Sequence, residues 1–260
     1  MLTKDIAICI RAIDYSETSQ IVTLFTRANG KINAIAKGSK RAKSAFDGAI
    51  EIFSYGKIVF ADSTREKLAT LTEFESAQGG PGFANLRNNL FALNCCLFST
   101  ELLSNLTNDY DPHPELFDSF VQFLQDTNEG RGMRDEGRGM RDERRCILSF
   151  LILFQLSLLK EVGLMPIINA CVNCKTTFEN QVYFSSSANG VICRDCEVSF
   201  PDRIRLTKDA ANCLNNLKML AEANNKTLNE IEKVLVHHFT NTLGRPPKMA
   251  KYILQTQRPQ

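Results

Sequence analysis

Two Cys-x2-Cys pairs, Cys171/Cys174 and Cys193/Cys196, lie with 18 residues between them. That spacing reads as a structural zinc site. Each pair makes a tight knuckle presenting two thiolates, and the chain between must double back to bring all four onto one tetrahedral ion. Val182-Tyr183-Phe184 and Gly190-Val191-Ile192 supply the two strands of that return. Four thiolates fill the coordination sphere and leave no position for water. Cys171, Cys174, Cys193 and Cys196 are therefore expected to hold structure and not to catalyse. Two redox pairs would call for a thioredoxin-like βαβ setting, and none surrounds them.

The N-terminal part has a different rhythm. Asp5 to Ile13, Ile21 to Phe25, Ile32 to Ala36, Ala49 to Phe60 and Leu68 to Glu75 read as five short strands. Asn29-Gly30 between the second and third is a hairpin signal of type I′, which needs positive φ at both residues. Gly56 inside the fourth run suggests a bulge or sharp bend. Five such strands fit a small closed barrel of the OB type, although a five-stranded SH3-like domain shares the pattern. After the hairpin the chain turns basic. Arg27, Lys31, Lys37, Lys40, Arg41 and Lys43 fall between Glu17 and Asp47 with no acid among them. Such a stretch is either a phosphate-contacting surface or a solvated lysine-rich loop. Phe25, Phe46, Phe53, Tyr55 and Phe60 are candidates for stacking on bases, or core.

Gln78-Gly79-Gly80-Pro81-Gly82 marks the boundary beyond which the apolar period becomes helical. Helices are expected over Phe83 to Leu106, Glu115 to Gln125 and Arg144 to Leu164. The last is apolar nearly all round, a bundle centre, closed by Gly163 and Pro166. Cys95-Cys96 and Cys213 read as core and His113 as a turn residue. Between the second and third helices stands EGRGMRD twice in tandem, residues 129–142. Its two glycines per unit point to a flexible, charge-balanced linker. Beyond the cysteines, Thr207 caps a helix to about Ala221, and Thr227 with Glu230 forms a capping box for Leu228 to Leu243. His237-His238, near the end of that helix, reads as a surface or dipole-stabilised pair and not as a ligand pair. From Arg245 through Lys248 and Lys251 to Arg258 a second basic zone carries no acid.

The formal net charge is only +2, so any nucleic-acid affinity must come from such local patches. Neither a signal peptide nor a bilayer-length apolar run is read, and nine cysteines without a secretion signal suit a reducing compartment, so a cytoplasmic protein is expected. No HExxH and no GxxxxGK[ST] occurs, which argues against a zinc hydrolase and against ATP-driven action.

In order along the chain, several runs resemble the RecO family of bacterial DNA repair proteins. They are Asp14-Tyr15-Ser16-Glu17-Thr18-Ser19-Gln20-Ile21-Val22-Thr23-Leu24-Phe25-Thr26, Gly30-Lys31, Ala36-Lys37-Gly38, Lys40-Arg41-Ala42-Lys43 before Phe46, Leu71-Thr72-Glu73, Glu161-Val162-Gly163-Leu164-Met165-Pro166 and Leu243-Gly244-Arg245-Pro246. The resemblance implies an α+β chain: an N-terminal five-stranded OB-fold barrel, then a mainly α-helical domain carrying a four-cysteine zinc ribbon. The expected parts are 1–79 (OB-fold, DNA-binding), 80–166 (helical, with the linker at 129–143), 167–200 (ribbon) and 201–260 (helical, C-terminal part). It also implies a non-catalytic recombination mediator, cytoplasmic and nucleoid-associated. Such a protein binds single- and double-stranded DNA, anneals complementary strands, and with the RecR protein helps load the RecA recombinase onto strands coated by single-strand-binding protein. Arg27, Lys31, Lys37, Lys40, Arg41 and Lys43 would contact phosphates. Arg245, Lys248 and Lys251 would extend that surface or receive the acidic tail of single-strand-binding protein. The alternative is a zinc-stabilised adaptor acting mainly through protein–protein contacts.

Overall fold

Strands β1 (Leu2–Asp14), β2 (Gln20–Thr26), β3 (Gly30–Ala36), β4 (Tyr55–Ala61) and β5 (Ala69–Ser76) close into a barrel in the order β1-β2-β3-β5-β4. All neighbours are antiparallel except β3 and β5, and β4 returns to β1, so the sheet has no free edge. The computed structural model describes residues 2–41, 43–46, 48–62, 68–76, 83–130, 140–177 and 182–254. The Gly-rich boundary at 78–82, Arg258 and most of the duplicated segment lie outside them.

Period-two alternation builds the barrel interior. Val22 and Leu24, Ile32 and Ala34, Ile58 and Phe60, and Ala69 and Leu71 all point inward, joined by Phe46, Ile50 and Phe74. Alanines face each other at Ala34↔Ala69, where the parallel pair brings β3 and β5 together. The fourth strand starts later than its sequence pattern suggests. Residues 49–54 lie outside the strand with a turn at 52–53, and Phe53 adopts a left-handed φ of 69° while its N–H bonds the Cys9 carbonyl at 2.8 Å. The bulges lie at Cys9/Arg11 and Val59/Phe60, not at Gly56. Gly56 is needed for a different reason, because a Cβ there would collide with the Glu75 backbone of β5.

The hairpin turn also differs from type I′. Thr26 pairs with Gly30 across a three-residue loop, and only Gly30 takes positive φ (71°) while Asn29 does not. This is the connection in which a left-handed glycine follows a tight turn. The reason is local: both Asp5 carboxylate oxygens accept from Ala28 N–H (3.2 and 3.1 Å), and Oδ2 also accepts from Asn29 Nδ2 at 2.7 Å. Glycine is doubly required, since a Cβ at position 30 would overlap the Asp111 backbone.

The chain forms two compact units, Met1–Asn85 with Leu103–Gln125, and Leu86–Leu102 with Asp126–Gln260. In the first, α2 (Pro114–Glu129) lays Phe117 against Phe25 and Tyr55, with ring centroids 5.9 and 6.4 Å apart. The second holds most of α1 (Leu90–Leu106), α3 (Met140–Glu161), α4 (Lys208–Asn215), α5 (Asn225–Leu243) and α6 (Ala250–Leu254). It also contains a three-stranded sheet ordered β7 (Gly190–Cys193), β6 (Val182–Ser185), β8 (Ile204–Leu206). α3 buries Leu148, Leu151, Ile152 and Leu159 and leaves Leu153 exposed. It ends as its sequence suggests, with Gly163 at φ 72° and paired bonds from Gly163 N to Lys160 O and Leu164 N to Leu159 O.

Two C-terminal expectations are corrected. Asn224, not Thr227, caps α5, and the Glu230 carboxylate instead accepts from Thr207 N–H and Oγ1 (2.6 and 2.8 Å), fastening the cap of α4 to α5. His238 is not on the surface. It is buried edge-on to Phe184 at 5.5 Å, and burial holds its imidazole below its ordinary pKa, with the Leu164 carbonyl pulling the other way. Cys95, Cys96 and Cys213 are core, as read. Among the described residues, no helix is long and apolar enough to cross a membrane.

Candidate nucleic-acid interface and metal centre

The basic loop is held firmly from beneath. Gln20, buried at the start of β2, accepts from Ser39 Oγ (3.0 Å) and Ile50 N–H (2.9 Å) through Oε1 and donates Nε2 to the Ile50 carbonyl (3.1 Å). One amide thus fastens both ends of the 37–50 segment. Gly38 N–H bonds Ser19 Oγ at 3.2 Å, Lys40 N–H bonds the Thr18 carbonyl at 3.1 Å, and Phe74 N–H bonds the Ala45 carbonyl at 3.1 Å. On this frame Lys37, Lys40, Arg41 and Lys43 are all exposed. Lys40 pairs with Asp14 at 2.8 Å, while Lys37, Arg41 and Lys43 have no ion-pair partner among the described residues.

The other end of the hairpin behaves differently. Lys31 is only 9% exposed, and its Nζ donates to the carbonyls of Ser104 (2.8 Å) and Thr107 (2.7 Å), 3.5 Å from Asp109 Oδ1. Its ammonium therefore caps the carbonyl end of α1, where the helix dipole is negative. It is withdrawn from the phosphate-contacting set. Arg27 is exposed but makes a bidentate pair with Asp118 of α2 at 2.9 and 2.8 Å. The stacking candidates resolve to the core reading. Phe25, Phe46, Phe53 and Phe60 are core, and Tyr55 is half-buried against Phe117.

The second basic zone sits in the other unit. Arg245, Lys248 and Lys251 are exposed, and Lys251 lies 4.8 Å from the Tyr252 ring centroid. Glu101 accepts from the Lys248 and Met249 N–H groups, both at 2.8 Å, which fixes the backbone of this zone.

The four cysteines converge as their spacing requires. All four Sγ atoms lie within 4.8 Å of one another, and Cys174 and Cys193 are 3.6 Å apart. A tetrahedron of sulfurs at about 2.3 Å from a central zinc has edges of about 3.8 Å. The first knuckle is laid on the hairpin by Val172 N–H to Val191 O (2.9 Å) and by Ile167 pairing with Gly190. Gly190 is required there, since a Cβ would strike the Ile167 backbone. Donors point at the sulfurs: Cys193 N–H to Cys171 Sγ (3.4 Å), Asn173 Nδ2 to Cys196 Sγ (3.3 Å) and Thr176 Oγ1 beside Cys174 Sγ (2.9 Å). Burial pushes the Cys171 thiol up, but the N–H groups of Cys174, Cys193 and Asn173 outweigh it. Thr176 chiefly brings Cys174 down to about 6. At Cys196 the Asn173 hydrogen bond lowers the thiol, yet the neighbouring Cys193, burial and the other sulfurs carry it up to about 12. Crowded sulfurs cannot all ionise without a cation among them, and four soft donors with supporting hydrogen bonds suit a metal ion. Burial instead drives Cys9 up to about 12 and Cys95 and Cys96 well upward, so those thiols are inert.

Residues 1–79 match the model for the recombination protein O N-terminal domain, and residues 87–136 and 142–251 match that for its C-terminal domain. The chain belongs to the recombination protein O (RecO) family. It is similar to the DNA repair protein RecO of Bacillus pumilus, 31% identical over 99% of this chain and 95% of that protein. It is 32% identical to the RecO proteins of Halalkalibacterium halodurans and Bacillus subtilis, each over 82% of this chain and 76% of the relative. In RecO terms, the barrel is the OB-fold domain, and the four-cysteine cluster falls inside the C-terminal match.

Proposed function

We propose that this RecO chain is a non-catalytic recombination mediator that grips DNA through the 37–43 loop of its barrel. The observation that carries the reading is that Lys37, Arg41 and Lys43 stand exposed and unpaired among the described residues, on a loop anchored by Gln20. Cations held on a rigid frame neutralise phosphates whatever the sequence. Two strands brought to such a surface repel each other less, which favours annealing. Lys40 joins the grip while keeping its pair with Asp14, and Arg27 joins by exchanging Asp118 for phosphate. Arg245, Lys248 and Lys251 form a second surface for DNA or for the acidic tail of single-strand-binding protein. RecR, single-strand-binding protein and, through them, RecA are the partners expected of a cytoplasmic, nucleoid-associated member of this family. The ion of the four-cysteine site is zinc in a structural role, for which the donor set is the support. Elemental analysis returning another metal would overturn that identity.

The test is annealing of two labelled complementary single strands, with and without single-strand-binding protein, at two salt concentrations. Acceleration that weakens with salt is the expected result. No acceleration under any condition would favour an adaptor acting mainly through protein contacts.

A further inference from the structure

A surface that grips phosphates alone does not distinguish a single strand from a duplex. Discrimination comes from an aromatic ring on which an unpaired base can stack. The phenylalanines at strand spacing are buried and unavailable for this. Two aromatic side chains of the first unit remain largely open, Tyr15 (64% exposed) and Tyr110 (46%). Tyr110 keeps acidic company. Its hydroxyl donates to Asp62 at 3.1 Å, and it is flanked in the chain by Asp109 and Asp111. Phosphates are repelled there.

Tyr15 sits in the β1–β2 connection, one of the loops through which OB folds meet oligonucleotides. The loop is closed on itself. Tyr15 and Ser16 N–H both bond the Ser19 carbonyl (2.9 and 3.2 Å), and Ser16 Oγ accepts from the N–H of Thr18 and Ser19 (3.4 and 3.1 Å). A ring on such a loop binds with little backbone ordering. The same loop is stitched to the basic segment. Thr18 O takes Lys40 N–H, Ser19 Oγ takes Gly38 N–H, and Asp14 beside Tyr15 takes Lys40 Nζ. Of the two acids flanking Tyr15 in the chain, Asp14 is thus paired, and Glu17 stands exposed.

We propose that Tyr15 is the base-stacking residue of this surface and gives it a preference for single-stranded over duplex DNA. The inference rests on the reading that the 37–43 loop contacts phosphates, and supplies the selectivity which that loop lacks.

Binding of the full chain to labelled oligo-thymidine, to a duplex, and to a strand with abasic sites in place of bases tests it. Tyr15→Ala should weaken oligo-thymidine binding roughly 5- to 100-fold while leaving duplex and abasic binding and the salt slope unchanged. Tyr15→Phe should bind like the parent. The chain contains no tryptophan, so Tyr15→Trp places a single indole at the site, and its emission should be quenched by oligo-thymidine but not by the abasic strand. Equal losses on all three ligands, an unaffected Tyr15→Ala variant, or an unquenched indole would each overturn the proposal. Failure of the underlying reading is distinct: the parent would then bind none of the ligands, or its salt slope would survive removal of Lys37, Arg41 and Lys43.

Discussion

The two ends of the β2–β3 hairpin carry the same kind of charge and use it in opposite ways. At the turn, Lys31 is sunk against the last carbonyls of α1 and Arg27 is clamped to Asp118, while Asp5 ties down the loop. At the far end, Lys37, Arg41 and Lys43 face solvent, and the polar anchors beneath them are neutral: Gln20, Ser19 and Ser39. One end uses its cations as internal fasteners. The other uses mainly amides and hydroxyls for fastening and, Lys40 on Asp14 apart, leaves its cations without an ion-pair partner among the described residues. A run of basic residues is therefore not one functional unit.

The second unit supplies an extreme case, a charge buried with a single partner. Glu232 of α5 is 1% exposed and receives one hydrogen bond, from Gln155 Nε2 at 2.9 Å. Its other oxygen has no hydrogen-bond partner among the described residues, and the Cys95 thiol lies near enough to interact with it. Burial raises the carboxyl from 4.5 to about 7, with the Gln155 hydrogen bond opposing. A raised carboxyl stabilises fully below the unfolded value and loses that contribution as pH rises through the folded one. Unfolding free energy should thus fall by about 3 kcal/mol between pH 4.5 and pH 8 from this group. Glu232→Gln should remove that part of the pH dependence in denaturant titrations. An unaltered profile would mean that Glu232 is solvated in the folded chain.

Lys31→Met is the next largest effect and bears on the hairpin directly. Leaving the Ser104 and Thr107 carbonyls without their ammonium should cost about 1.5–3 kcal/mol in denaturant unfolding, with no change in DNA salt slope. A stable variant with weakened DNA binding would erase the contrast between the two ends. Asp118→Asn should act least on stability, since its pair with Arg27 is exposed. It should raise DNA affinity slightly by releasing Arg27 from its fastening role, and unchanged or lower affinity would mean that Arg27 does not exchange Asp118 for phosphate.

Much of this is legible from residue pattern, for physical reasons. The barrel follows from period-two alternation on Val22, Leu24, Ile32, Ala34 and Ala36, and the four-cysteine cluster from cysteine spacing, because both are local properties. The fate of Lys31 is not, since its partners Ser104 and Thr107 stand 73 and 76 residues away. A hint exists: Ile35 shares its outward face of β3 with Lys31 and Asn33, and an isoleucine there suggests that the face is covered. Glu230 is misplaced by the capping-box pattern because that pattern is local, whereas its actual partner is Thr207 on another element. Of the two readings of the strand aromatics, core holds. Phenylalanines at strand spacing are buried, while Tyr15, one of the exposed rings, lies in a polar connection that periodicity passes over.

The central claim, that the free cations of the 37–43 loop are what hold DNA, is tested most directly by the salt dependence of binding. Single-strand affinity should be measured across a range of ionic strengths for the parent and for the Lys37→Ala, Arg41→Ala, Lys43→Ala triple variant. Each lost phosphate contact removes about 0.7 from the slope of log K against log salt, so the triple variant should be shallower by about 2, with an unchanged unfolding midpoint. An equal slope in both proteins would contradict the account and move the grip elsewhere on the chain.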